Sequence, residues 1–306
     1  MRKLSLLFIT RDFTKYVERN THYLINELAK ITNLSVWHEA GNIHNILKQM
    51  PTEPDFILLN DLKESRCPEI SGLSTLNCPF GIIMHDLHYK VEKRKKFIED
   101  NDVQHIFSIY RDPFLRKYPK YQDRLHWLPH FFNPEIFTDY GLPKAIDWLL
   151  MGEVAYYYPL REKIVEQLST RPEFVWHQHP GYRNINDGEK VFVGVDYAKE
   201  INRSKIFLTC DSILHYPIIK YYEVLACNTL LLAPCPKELL DLGFIPGKHF
   251  VEINEHNFLE KAEYYLTHEE ERKKIAEQGY NMVHQNHTTQ IRASQLVEMI
   301  QTILAS

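Results

Sequence analysis

The alternation of short, nearly unbroken apolar runs with longer amphipathic stretches constrains this chain more than any other feature. LSLLFI (4–9), LSVW (34–37), DFILL (55–59), FGIIM (80–84) and HIFSIY (105–110) are each too short for a helix of ordinary length. They are also apolar at successive positions, so both faces of each predicted strand need cover. Helical periodicity spans 16–31 and 43–50 between them, which gives βαβα order and predicts a parallel sheet held between helices. Beyond Leu128 the text PHFFNPEIFTDYGLPKAI breaks every period with prolines, Asn133 and Gly141, and is read as the interdomain connection.

A second series then opens: IDWLLMG (146–152), a helix over 158–168, FVW (174–176), a helix over 197–203, KIFLTC (205–210), a helix through Glu223, and TLLLAP (229–234). Three helical stretches close the chain, over 257–267, 268–283 and 288–304. The reading is an α/β protein of two doubly wound, Rossmann-like domains facing across a cleft. Residues 1–140 form the first, 141–287 the second, and 288–306 a helix that packs back on the first. A length of 306 residues suffices for two such cores. Ligands of doubly wound sheets sit at the carboxyl ends of the strands, so the chemistry is sought there.

Charge excludes one class of partner. With 36 basic and 40 acidic residues, the net charge of −4 supplies no field that would gather nucleic acid. The five cysteines are odd in number and form no CxxC, which argues against a disulfide framework or zinc ribbon and for a reducing, cytoplasmic setting. The apolar run 4–9 is closed by Arg11 and Asp12 and is too short for a signal sequence. No other stretch reaches membrane-spanning length, so membrane contact is expected to be peripheral at most.

Four segments carry candidate chemistry. In 206–234, Lys220 and Glu223 lie three residues apart near a helix start and share a face. The lysine suits a diphosphate and the glutamate a ribose diol. Spacing alone favours a surface ion pair. Asn228 closes this helix where a left-handed residue is wanted. Gly152 ends an apolar strand and precedes the helix of Arg161, an arrangement that suits a phosphate or else a packing glycine beside a solvated arginine. HQHPGYR (177–183) places His179, Gly181 and Tyr182 after a strand, to frame a base or sugar. The leading alternative is a loop with a structural role alone, and a His177–His179 metal pair, without a partnering carboxylate motif, is a further one. MHDLHYK (84–90) puts Asp86 and His88 at another strand end, placed for general base catalysis or for a capped turn.

The 206–234 segment resembles the C-terminal domain of the CgeB/YkvP-like, spore-protein type glycosyltransferases, a group similar to GT4 enzymes of GT-B fold. The likeness runs through Lys220, Tyr221, Tyr222 and Glu223 to the turn at Ala226, Cys227 and Asn228. It continues in DYAKEINRSKIFLT (196–209), in PGKHFVEI and the helices that follow, and in DYGLPKAIDWLLMG and YYYPLR. His215 stands where such enzymes carry the first of two glutamates, Lys220 where arginine is frequent, and Asn228 where glycine is frequent. The resemblance implies transfer of a hexosyl unit from a nucleoside-diphosphate sugar, UDP-sugar favoured, to an acceptor hydroxyl of a glycan, protein or small molecule. It implies no metal and no cofactor beyond the co-substrate, and retention as the favoured outcome. Donor contacts would come from Glu223, Lys220, Tyr222, Arg161, Gly152, His179, Gly181, Tyr182 and His215, and Asp86 and His88 would carry catalysis. A nucleotide-sugar epimerase or hydrolase, or a non-catalytic nucleotide-sugar-binding protein, is the alternative.

Overall fold

A computed structural model describes residues 2–306. The chain forms two compact units. The first comprises the stretch up to Thr14, Thr21–Pro129 and Gln290–Ser306, and the second Lys15–Asn20 with His130–Thr289. The crossing lies between Pro129 and His130, before the 140/141 division expected from sequence. The reason is that Phe132 and Phe137, inside the proline-broken stretch, are buried in the second unit's core.

In the first unit the order is β1 (Ser5–Ile9), α1 (Asn20–Ile31), β2 (Asn33–Trp37), β3 (Gly41–Asn42), α2 (Ile43–Leu47), β4 (Phe56–Asn60), β5 (Ile70–Ser71), β6 (Phe80–Met84), α3 (Val91–Asp100), β7 (His105–Ser108), α4 (Arg111–Lys117) and β8 (Leu125–Trp127). Six strands make a parallel sheet in the order β2-β1-β4-β6-β7-β8, and every residue of β1, β4 and β6 is buried. The chain winds outward from β1 in both directions, so the strand order reverses between β1 and β4.

Helix α1 starts at Asn20, four residues later than its periodicity suggests. Residues 15–20 instead join the second unit, where Tyr16 bridges Asn184, the Val17 amide donates to the Arg183 carbonyl at 3.0 Å, and the Ile185 amide donates to the Lys15 carbonyl at 2.7 Å. Helix α3 has no apolar stripe in its text, VEKRKKFIED, because its buried positions are Arg94 and Ile98.

The second unit runs β9 (Ile146–Gly152), α5 (Pro159–Leu168), β10 (Phe174–Gln178), α6 (Gly194–Asn202), β11 (Ser204–Leu208), α7 (Lys220–Ala226), β12 (Leu230–Ala233), α8 (Lys237–Asp241), β13 (Val251–Glu252), α9 (Phe258–Thr267) and α10 (Glu269–Asn286), and α11 (Thr289–Ala305) ends the chain. Its parallel sheet has the order β10-β9-β11-β12-β13, so the reversal lies between β9 and β11. Alternate residues feed two separate cores. Leu149, Met151, Phe207, Leu231 and Ala233 face one, with Tyr221, Leu225 and Val283. Trp148, Leu150, Ile206, Leu208, Leu230 and Leu232 face the other, with Ile164, Ala262 and Ile275. Both faces are dry, which is why these strands read as unbroken apolar runs. Among the described residues no helix is long and apolar enough to cross a membrane.

Candidate functional site

The second unit gathers charge at its strand-order reversal. β9 ends in Gly152 and the third residue of α5 is Arg161, only 3% exposed. Its Nε donates to Thr209 Oγ1 at 3.1 Å, just beyond β11, and its Nη1 donates to the Glu153 carbonyl at 3.0 Å. The guanidinium lies 4.1 Å from the Tyr158 ring centroid. Gly152 has φ 154°, and a Cβ there would stand 3.0 Å from Arg161 Nη1, so a side chain at this position would crowd the guanidinium. Arg161 is therefore not the solvated arginine of the sequence alternative. Both of its hydrogen bonds go to uncharged oxygens, and among the described residues no carboxylate pairs with it. A cation held from water in this way leaves unmet demand for an anion.

Lys220 and Glu223 share a face of α7, as their spacing requires, but the face is not open. Glu223 is 7% exposed. Lys220 Nζ donates to Glu223 Oε2 at 3.4 Å and to the Tyr197 hydroxyl, and the same hydroxyl donates to Glu223 Oε2 at 3.4 Å. Burial pushes the lysine down and the glutamate up from their ordinary values, each opposed by the other's charge. Arg161 depresses Lys220 further, and Glu18, from the 15–20 segment, acts on both members of the pair. Glu223, expected among the donor contacts, lies in an enclosed polar cluster with Lys220 and Tyr197.

Tyr222 does not belong to this cluster. It is fully buried, packed edge-on against Phe244 at 5.1 Å and His287 at 5.2 Å. A step of two residues turns a helix by about 200°, so Tyr222 faces the core when Lys220 faces the polar site. The structure thus places Tyr222, expected among the donor contacts, in the core.

The loop after β10 brings His179 into the same field. Its Nδ1 accepts from the Gly181 amide at 3.0 Å. Burial, reinforced by Lys220 and Arg161, lowers its pKa to about 4, which keeps the ring neutral at ordinary pH. Gly181, at φ 83°, has open space around it, and Tyr182 stands 61% exposed with its ring 4.8 Å from that of His179. His177 does not act with His179: its Nε2 pairs with Glu200 Oε1 at 2.9 Å, and no group of three or more metal-ligating side chains occurs among the described residues. His215 adopts φ 54°, with a largely exposed ring whose Nδ1 lies 2.8 Å from the buried Asp211 carboxylate. Burial raises the Asp211 carboxyl above its ordinary value, against the pull of His215 and Arg161.

Sequence reasoning missed Thr209, Tyr197, Asp211 and Glu18. Thr209 carried a signal, as the polar residue that follows the apolar run of β11, whereas a tyrosine inside an amphipathic helix reads as core.

The first unit has its own polar cluster beyond β4 and β6. Asp61, fully buried at φ 74°, accepts from Arg94 Nη2 at 2.5 Å, from the Leu62 amide at 2.6 Å and from the His85 amide at 3.3 Å. Arg94 Nη1 donates to the Asp86 carbonyl at 2.9 Å. Asn60 Nδ2 donates to Thr10 and Thr21, which leaves its Oδ1 to accept from His85 Nε2 at 2.9 Å. These bonds tie together the ends of β1, β4 and β6. On this frame Asp86 meets Lys63 at 3.1 Å, with both side chains partly exposed. Burial raises the Asp86 carboxyl, but Arg66 and Lys63 outweigh it and hold it below the usual range. His88 is depressed by burial and by Lys117, Arg94 and Lys63, against the pull of Asp86. At neutral pH the turn therefore holds an ionised aspartate and a neutral imidazole, the form able to accept a proton.

Comparison with known proteins agrees with this architecture. Residues 161–298, a little under half of the chain, match the model of a family described as glycosyl transferase-like. No curated protein matches in sequence. Among solved structures, HepE of Anabaena, determined with UDP and glucose, is 9% identical over 98% of this chain and 100% of its own, with a TM-score of 0.68. A glycosyltransferase of Rickettsia africae is 14% identical over 99% of both chains, also at 0.68. The sucrose-phosphate synthase of Thermosynechococcus elongatus is 11% identical over 99% of this chain and 100% of its own, at 0.65. With two parallel, doubly wound α/β units in succession and these neighbours along its whole length, the chain has the GT-B fold.

Proposed function

We propose that the chain transfers a hexosyl unit from a nucleoside-diphosphate sugar to an acceptor hydroxyl. Arg161 carries the reading: it is a buried cation whose hydrogen bonds go only to neutral oxygens, at the strand-order reversal where doubly wound sheets receive ligands. A diphosphate would supply the missing charge. Its leaving-group charge grows as the glycosidic bond breaks, and Arg161 with Lys220 would stabilise it without a bound divalent ion. Gly152 leaves room for the guanidinium, and Glu223 with Tyr197 orients the lysine head. The neutral His179 and the exposed Tyr182 suit the uncharged base or sugar. His215, held by Asp211, suits a sugar hydroxyl.

UDP-sugar is the favoured donor. HepE is known in complex with UDP-glucose, and residues 161–298 of this chain, matching the glycosyl transferase-like family, contain Arg161, His179, His215, Lys220 and Glu223. Retention is the favoured outcome, and the CgeB/YkvP-like, GT4-like group the favoured affiliation, on the motif order of 206–234. If the reaction inverts, His88 is the better base, because Arg66 and Lys63 hold Asp86 below the usual carboxylate range and so make it a weak proton acceptor.

A thermal-shift screen against UDP-, GDP-, ADP- and dTDP-sugars, followed by product analysis with a panel of acceptors, tests the reading. Stabilisation by one nucleotide series and acceptor-dependent release of its nucleoside diphosphate are expected. Free sugar formed at the same rate without acceptor would make the protein a hydrolase, and binding without turnover across the panel a non-catalytic receptor.

A further inference from the structure

The turn that holds Asp86 and His88 gathers more basic than acidic side chains. Net charge over the whole sequence is −4. Yet Lys63 Nζ lies 3.1 Å from Asp86 Oδ2, Arg94 Nη1 donates to the Asp86 carbonyl, and Arg66 and Lys117 act on Asp86 and His88 through their fields. Three cations also converge on one ring: Lys90, Lys63 and Arg94 stand 5.0, 5.3 and 5.8 Å from the Tyr89 centroid. The acids facing this group are Asp61, Asp86 and Glu64, while Glu92 on α3 is engaged by Lys95 at 3.0 Å. Asp61 and Arg94 cancel in a buried pair. Of the remaining cations Lys63 is about a third exposed, as is Asp86 beside it, and Lys90 is exposed at the start of α3, so both lysines are within reach of a solute. Like charges gathered about one turn repel, and an anion relieves that repulsion.

We propose that this turn binds an acceptor bearing an anionic oxygen group, phosphate or carboxylate, next to the hydroxyl that reacts, with Lys63 and Lys90 receiving the charge and the Tyr89 ring lying against the sugar. The identification of an acceptor rests on the glycosyl-transfer reading, whereas the charge preference rests on the first unit alone.

The test titrates a hexose 1-phosphate, a hexuronic acid and the neutral hexose into the full chain without donor, and UDP separately, by calorimetry. The charged sugars should bind at least about tenfold more tightly than the neutral one, and the margin should shrink in about 0.5 M salt. Lys63→Gln and Lys90→Gln should each weaken charged-sugar binding by about threefold or more while leaving UDP affinity unchanged, with melting temperature confirming the fold. The larger gain between phosphate and uronate identifies which source supplies the group. Equal affinity for charged and neutral sugars, or charged-sugar binding indifferent to both variants, overturns the proposal. Anion binding with no UDP binding would instead remove the donor reading and leave this one standing.

Discussion

Replacing Arg161 by methionine separates a ligand-binding cation from a structural one. The substitution removes two hydrogen bonds from a charged donor, to Thr209 and to the Glu153 carbonyl, each worth about 1.5–3 kcal/mol. It also removes the penalty, several kcal/mol, of keeping a cation at 3% exposure without a hydrogen-bonded counter-charge. Methionine refills much of the volume against the Tyr158 ring. These contributions oppose one another, so unfolding free energy should move by no more than about 2 kcal/mol in either direction. UDP binding has no such compensation. Loss of a desolvated contact between guanidinium and phosphate should cost about 3 kcal/mol, on the order of a hundredfold in Kd. Urea denaturation reads the first quantity and calorimetry the second. UDP affinity within about threefold of the parent protein would end the phosphate role. A stability loss above about 4 kcal/mol would make the arginine a structural prop.

Tyr222→Phe should leave UDP affinity unchanged while Tyr222→Ala loses about 3–5 kcal/mol of stability, because the ring fills the core beside Phe244 and His287; a large affinity loss in the phenylalanine variant would return this residue to the site. Asp61→Asn strands Arg94 in the interior and should lower stability by about 3–5 kcal/mol, read as a lower denaturation midpoint at unchanged slope. The depressed pKa of His88 fixes the sign of its pH dependence: the neutral base persists below the ordinary 6.5, so the acid limb of kcat/KM should lie below that pH. His88→Ala should lower turnover by about a hundredfold or more with UDP affinity retained, and full activity in that variant would remove it from the chemistry.

Much of the fold was legible because burial on both faces forces a strand to be apolar throughout. FGIIM and IDWLLMG coincide with β6 (Phe80–Met84) and β9 (Ile146–Gly152) residue for residue. Asn228 takes the left-handed conformation, φ 50°, that its place after α7 suggested. α3 escaped notice because an arginine occupies its buried face, satisfied by Asp61 from a different strand end. Helical spacing alone sets Tyr222 opposite Lys220, on the side that packs against Phe244 and His287.

The amino-acid text thus determined which segments are strands and helices, that the strands run in parallel layers, and that Lys220 and Glu223 share a face. These are properties of local periodicity, settled within a few residues. Strand order belongs to the folded molecule, because pairing β9 with β11 and β1 with β4 joins segments that the chain separates. The tertiary arrangement set Arg161 against Thr209, enclosed Glu223 with Tyr197, and closed Asp61 on Arg94. The charge state of each candidate group followed from burial and from neighbours distant in sequence, which no local pattern records.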